Sequence, residues 1–374
     1  MAGSKNKPKG LRFFSPDSLW NTPIPSDAPI HPSSAQMVAV NFNEPPGIWV
    51  NRNYWTVPVY FADANTPTYD VECIYGKAHG DKPTFNDPSG KEFIVHTKRG
   101  VILKDVPIPD DALPDSAIAL RPEINADAHL CVVDLDRHLE WDFCWMAKKP
   151  SKPKRRGSPW FAGQGVVFHT DGDGLLANFQ GSARGSGFPL TAGLIFKDEI
   201  EAGAIEHALA LALRPAGKGH TYPPASVSDG VKELGAPNWG IPEGALVQLD
   251  PNLNLADFKL DSAARTVARA MQKYGMYVCD CSGGINLYAE GFPFAQPNPW
   301  DGVMAIDSPC AIPMKHLRVI DWGNTFFAEK EKPHNQKIFH DNNFFPPLPP
   351  ADAAKVLDGV NALRQIYKLP PYKT

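Results

Sequence analysis

The sequence predicts a mainly β fold of the α+β kind, an antiparallel β-sandwich or jelly-roll-like body with a few peripheral helices. Three observations carry this. The 374 residues include 38 prolines and 30 glycines, and 10% of them are aromatic, the make-up of many short strands joined by frequent turns. Proline fixes φ and removes a backbone donor, so this density leaves little room for long helices. Several short runs alternate apolar and polar residues with the period of two that a strand needs. Residues 1–12 are expected to form a disordered tail and residues 13–374 a single β-rich domain.

The elements follow in order. Ser15 to Pro32 reads as an extended segment anchored by Trp20 and Ile24. Tyr54 to Phe61 looks like a strand interrupted by Pro58, hence at an edge or bulge. Glu92–His96 and Gly100–Lys104 are an expected strand pair, and Pro107–Pro114 a turn-rich connection. Leu130–Asp134 and His138–Trp145 flank a short polar turn and read as a hairpin. Val166–His169 and Leu175–Phe179 flank Asp171-Gly172-Asp173-Gly174 and read as a second one. Asp198–Gly203 makes a short helix, and Ile205–Leu213 a strand with Ile205, His207, Leu209, Leu211 and Leu213 on one face. Asp261 is the expected N-cap of a helix with Val267, Met271 and Tyr274 as its buried stripe, and Gly275 ends it. Met276–Cys281 continues as a strand, and Ala351–Tyr367 is a second helix.

Charge narrows the partners. A net charge of −4 and a pI near 6.3 are far from the basic excess that phosphate neutralisation demands, so no nucleic acid is expected. The basic run Lys148–Arg156 reads as a solvated loop. No apolar run is long enough to span a bilayer, so no membrane partner is expected. The six cysteines lack paired C-x-x-C spacing, so no zinc site is expected, least of all at Cys279 and Cys281, which should share a strand face. They can be disulfide-bonded or buried thiols.

The richest chemistry lies in HLEWDFCW. Alternation puts Trp141, Phe143 and Trp145 on one side and Glu140, Asp142 and Cys144 on the other. Two carboxyls on one face are what glycoside hydrolysis requires, and crowding raises the pKa of one so that it stays an acid. An ordinary charged wet face is the competing reading. Asp127 and His129 precede this hairpin as an acid/base pair, and His169 ends the next strand. Arg184, in the small-residue stretch 181–193, can clamp a carboxylate, with His207, His220 and Tyr222 downstream. Trp160, Trp239 and Trp300 can stack on sugar rings or pack in the core. No cofactor is expected, although Asp171 and Asp173 present hard oxygens to calcium.

The motifs SLWNTPIP, HLCVVD with HLEWDF, ARGSGFPLTAGLI, IPEGALVQLDPNLNL and QKYGMYVCDCSG together resemble a family of largely uncharacterised, commonly secreted bacterial proteins. The resemblance covers roughly residues 14–325 and implies an extracellular setting and one long domain. It supplies no reaction, and the start of this chain lacks the apolar core of a signal peptide. The expected function is a secreted glycoside hydrolase acting on a polysaccharide or oligosaccharide through Glu140 and Asp142. Two alternatives stand beside it: a polysaccharide lyase with a His169 or Tyr222 base and Arg184 as neutraliser, and a non-catalytic glycan-binding or structural protein.

Overall fold

The structure is a computed structural model that describes residues 7–43, 47–73, 94–96, 101–115, 127–148, 159–176, 178, 180–293, 295 and 297–327. The chain runs through α1 (Ser34–Asn41), β1 (Trp49–Asn51), β2 (Val59–Ala62), β3 (Thr68–Cys73), β4 (Ile94–His96) and β5 (Val101–Pro107). Next come β6 (Leu130–Asp134), β7 (Leu139–Cys144), β8 (Ala147–Lys148), β9 (Trp160–Ala162) and β10 (Gln164–His169). The rest is α2 (Lys197–Ala202), β11 (Leu209–Leu213), β12 (Gly217–His220), β13 (Pro242–Glu243), β14 (Leu246–Leu249), α3 (Ser262–Lys273), β15 (Met276–Cys281), β16 (Asn286–Tyr288) and β17 (Leu317–Val319).

Strands dominate and helices are few, as the composition predicts. The sheets, however, are mixed rather than antiparallel throughout: β2 runs parallel to β6, β1 to β16, and β11 to β15. Three sheets matter. One has the order β4-β5-β3-β9-β8, the second β10-β7-β6-β2, and the third β1-β16-β11-β15-β14-β17.

Their order in space follows from side-chain alternation. On β7, Trp141 and Phe143 join Val71, Leu103 and Trp160 of the first sheet in one apolar cluster. On the same sheet Cys131, Val133 and Cys144 face the other way, into a cluster with Ala210, Ala212, Tyr277 and Tyr288 of the third sheet. On β11, Leu209, Leu211 and Leu213 point away from that cluster, toward Val267 and Met271 of α3. The second sheet is therefore a middle layer with both faces covered. That layering decides the fate of Glu140 and Asp142.

Local signals account for the best-predicted elements. The Asp261 side chain accepts from the Ala264 amide at 2.7 Å and caps α3, whose sequence has no Gly or Pro. Gly275 follows it with φ +75°, a conformation that glycine adopts without a Cβ clash. Pro58 sits just before β2, the edge strand of the middle sheet, where its missing N–H costs nothing. β6 and β7 form the expected hairpin, with Val132 opposite Trp141.

Other elements differ. β10 pairs with β7, and the amides of Phe14 and Ser15 bond the Thr170 and Gly172 carbonyls at the turn, while residues 177 and 179 of the expected partner strand lie outside the described residues. Strand β11 begins at Leu209, so His207 lies before it in a loop. From Lys7 onward the N-terminal segment is tied down rather than loose: Lys7 Nζ reaches the Asp198 carboxylate at 2.9 Å and Arg12 donates to the Glu206 carbonyl at 2.7 Å. The expected helix Ala351–Tyr367 and most of the basic run Lys148–Arg156 lie outside the described residues.

The parallel pair β11–β15 carries one irregularity with consequences. Leu211 is opposite Val278, but Ala212 is opposite Asp280, which makes Cys279 an extra residue. Such a bulge turns two successive side chains to one face. Cys279 packs in the cluster between the second and third sheets, and Asp280 bonds residues on that side as well. Cys281 packs against the other cluster, so the two cysteines do not share a face. All six cysteines are free thiols.

Candidate functional site

The alternation expected on β7 holds, but both of its faces are dry. Glu140 and Asp142 are 0% exposed. Glu140 accepts from the Thr191 amide at 3.0 Å and the Thr191 hydroxyl at 2.5 Å. Asp142 Oδ2 accepts from the Leu190 amide at 2.7 Å, while Oδ1 has no backbone or hydroxyl donor. Burial pushes both carboxyls up, and Glu140 lifts Asp142 further. The pair is a buried latch between the middle sheet and the 190–191 loop. It lines no groove, which corrects its expected place at a polysaccharide cleft.

A different set of carboxylates reaches solvent. The bulge aims Asp280 at a point where three segments converge. Asp280 Oδ1 accepts from the Gly185 amide at 3.3 Å, and Oδ2 from the Tyr288 hydroxyl at 3.3 Å. A Cβ at position 185 would lie 2.8 Å from both Asp280 Oδ1 and Asp229 Oδ1, so these oxygens are no farther apart than twice that distance. Glycine is what lets both acids approach the backbone here. Asp229 is exposed and accepts from the Cys281 amide at 3.1 Å. Asp127 is half-buried and interacts with both other aspartates. Behind Asp229 lies Glu243, 0% exposed, with no donor on either oxygen.

So many acids in one place cannot all ionise. Burial, then Asp229 and Asp127, push Asp280 well above the usual carboxylate range. Burial and Asp229 do the same to Glu243, and burial raises Asp127. The Cys281 thiol is pushed up to about 12, by burial first and then by Asp229. Among the described residues, Arg184 is the cation that acts on Asp280. Arg184 is 3% exposed, stacks over the Tyr288 ring at 4.7 Å, and donates to the Leu190 carbonyl at 3.0 Å. His129 is also buried beside Asp127 and bonds the Ala183 carbonyl at 3.1 Å; burial lowers its pKa, which Asp127 partly opposes. Ala128 and Trp145, in contact through the backbone around Asp127, both have left-handed φ values, 43° and 51°. Non-glycine residues held so store strain, which gathers at working sites.

Of the residues expected from sequence, Asp127, His129 and Arg184 belong to this cluster. His169 ends the β7–β10 ladder opposite Leu139, while Asp127 abuts Trp145 just past the other end, roughly 20 Å away along the strand. Tyr222 is exposed, and the amide of the preceding Thr221 bonds the Glu243 carbonyl, which puts it near the rim. His207 is part of an ion pair with Glu199 at 3.2 Å; burial lowers its pKa, but Glu199 lifts it above the ordinary value. His220 is buried against Asn178 at 2.7 Å, its pKa lowered by burial to about 4. Trp160 and Trp300 are enclosed in apolar clusters and present no face to a sugar. Trp239 is half-buried. Asp173 accepts from the Leu175 amide within its own turn, and Asp171 lies 4.0 Å from His138 of the β6–β7 turn. The sequence pattern does not single out Asp229, Glu243, Asp280 or Tyr288, because no motif joins positions so far apart.

The class defined here is a mixed-sheet β protein with a carboxylate cluster at a strand bulge. No family model matches the chain, and neither the curated proteins nor the solved structures give a significant match. No helix among the described residues is long and apolar enough to cross a membrane.

Proposed function

We propose that the protein is a carbohydrate-active enzyme that hydrolyses glycosidic bonds with Asp127 and Asp280, in place of Glu140 and Asp142. The observation that carries this is the bulge at Cys279, which turns Asp280 toward Asp127 and Asp229 where buried acids meet solvent. Hydrolysis of an acetal needs one carboxyl to protonate the leaving oxygen and another to activate water or stabilise the oxocarbenium-like centre. Asp280, held by Gly185 and Tyr288, suits the fixed acid; Asp127, half open to solvent, suits the base. Half-buried Trp145, whose amide bonds the Asp127 carbonyl, supplies an aromatic beside the acids.

Elimination is the weaker reading, because a lyase needs a free cation to neutralise the substrate carboxylate. The terminal nitrogens of Arg184 are already committed to the Leu190 and Ala192 carbonyls. An extracellular polysaccharide substrate agrees with the family resemblance. The test is a polysaccharide panel assayed for reducing ends and for unsaturated uronate. New reducing ends without absorbance, lost in Asp280→Asn, support hydrolysis; absorbance from the uronate, or no product from any polymer, rejects it.

A further inference from the structure

We propose that Asp229, Glu243 and Cys281 form a binding site for a zinc-class divalent cation. Their ligand atoms all lie within 4.8 Å of one another. Zinc binds carboxylate oxygen at about 2.0–2.2 Å and thiolate at about 2.3 Å, so small side-chain rotations close this triangle onto one ion. The three residues come from a loop, from β13 and from the end of β15.

Glu243 points most directly to a ligand. It is 0% exposed, and no amide, hydroxyl or cationic side chain among the described residues donates to either oxygen. A buried carboxyl facing a second carboxyl stays charged only beside a positive partner. A second acid group among the described residues is the useful contrast. Glu140 and Asp142, with Cys131, are also close enough to hold an ion, but three of their four carboxyl oxygens are taken by the donors of Leu190 and Thr191, leaving only Asp142 Oδ1 without one. Neither oxygen of Glu243 has such a donor.

The surroundings fit as well. The Ala216 amide donates to Cys281 Sγ at 3.2 Å, and the Cys281 amide donates to Asp229 Oδ1 at 3.1 Å. Such outer donors fix the orientation of ligating atoms. A sulfur beside two oxygens selects zinc or its neighbours over calcium and magnesium, which take oxygen alone. The exposed side, at Asp229, provides an entry path and leaves a fourth position to water. Spacing rules look for thiols close in sequence, and this site uses a single thiol. The bulge sends Cys279 to the opposite face, so it takes no part.

The inference does not rest on the hydrolase reading, which assigns its acid and base to Asp280 and Asp127. The experiment strips the full-length protein with chelator and titrates it with Zn²⁺ by calorimetry and with Co²⁺ by absorption. One equivalent should bind, and Co²⁺ should give a thiolate-to-cobalt charge-transfer band. Cys281→Ser should abolish the band, and Glu243→Gln and the exposed Asp229→Asn should each weaken binding at least tenfold. Cys279→Ser should keep the band. Circular dichroism checks that each variant is folded, and the wild-type band needs no variant. Absence of stoichiometric binding or of the band overturns the proposal, as does a band that survives in folded Cys281→Ser. Loss of metal with unchanged polysaccharide cleavage would separate this site from the hydrolase reading.

Discussion

Thr191 donates to Glu140 twice, through its backbone amide at 3.0 Å and its hydroxyl at 2.5 Å. The contact joins a loop outside any strand to the middle of a buried sheet. Thr191→Val keeps the shape and removes one donor from a carboxyl that water cannot reach. It should destabilise the fold by about 1–3 kcal/mol, read as a lower midpoint in urea with an unchanged slope. Equal midpoints for variant and wild type would show that the latch contributes nothing.

Glu140→Gln and Asp142→Asn should follow the same pattern, with lowered melting temperatures and turnover that stays near wild type. Asp127→Asn and Asp280→Asn should do the reverse, cutting turnover about a hundredfold or more while remaining folded. Comparing kcat with thermal midpoints for all four variants decides which acids do the chemistry.

Gly185 tests the convergence of acids directly. A methyl group there would press on the carboxylates of Asp229 and Asp280, each 2.8 Å from the new carbon. Gly185→Ala should therefore reduce turnover sharply with a modest loss of stability. A variant as active as wild type would mean that these carboxylates need not meet.

Glu290 gives a pH dependence of stability. Its carboxyl accepts from the Lys197 amide at 2.8 Å and is pushed up from 4.5 to about 7, chiefly by burial. The folded protein thus holds a proton that the unfolded chain has released. This contribution is fully present below about pH 4.5 and is lost as pH rises through about 7. Glu290→Gln should flatten the fall in stability across that window, measured as denaturation midpoints at a series of pH values. An unaltered pH profile would place the proton elsewhere.

Much of the fold is written locally. The Asp261 cap and Gly275 stop bound α3, Pro58 sits at an edge, and alternation on β7 separates Trp141 and Phe143 from Glu140 and Asp142. These features depend on neighbours a few residues away, and the sequence contains those neighbours. Which face of β7 meets water does not. Alternation reports that two faces differ, and the charged one would be the wet face on an outer sheet. Here a third sheet covers it, and the cost of two buried carboxyls is offset by the donors of the 190–191 loop. The cluster is still less legible. Asp127, Asp229, Glu243 and Asp280 come from four separate segments, and a single extra residue, Cys279, turns Asp280 toward the others. Sequence by itself determined the β-rich class, its helix and its main hairpin, because hydrogen bonding and periodicity act over short range. Only the tertiary structure decided which acids are buried and which reach solvent, because burial depends on what packs above a strand, and that comes from distant parts of the chain.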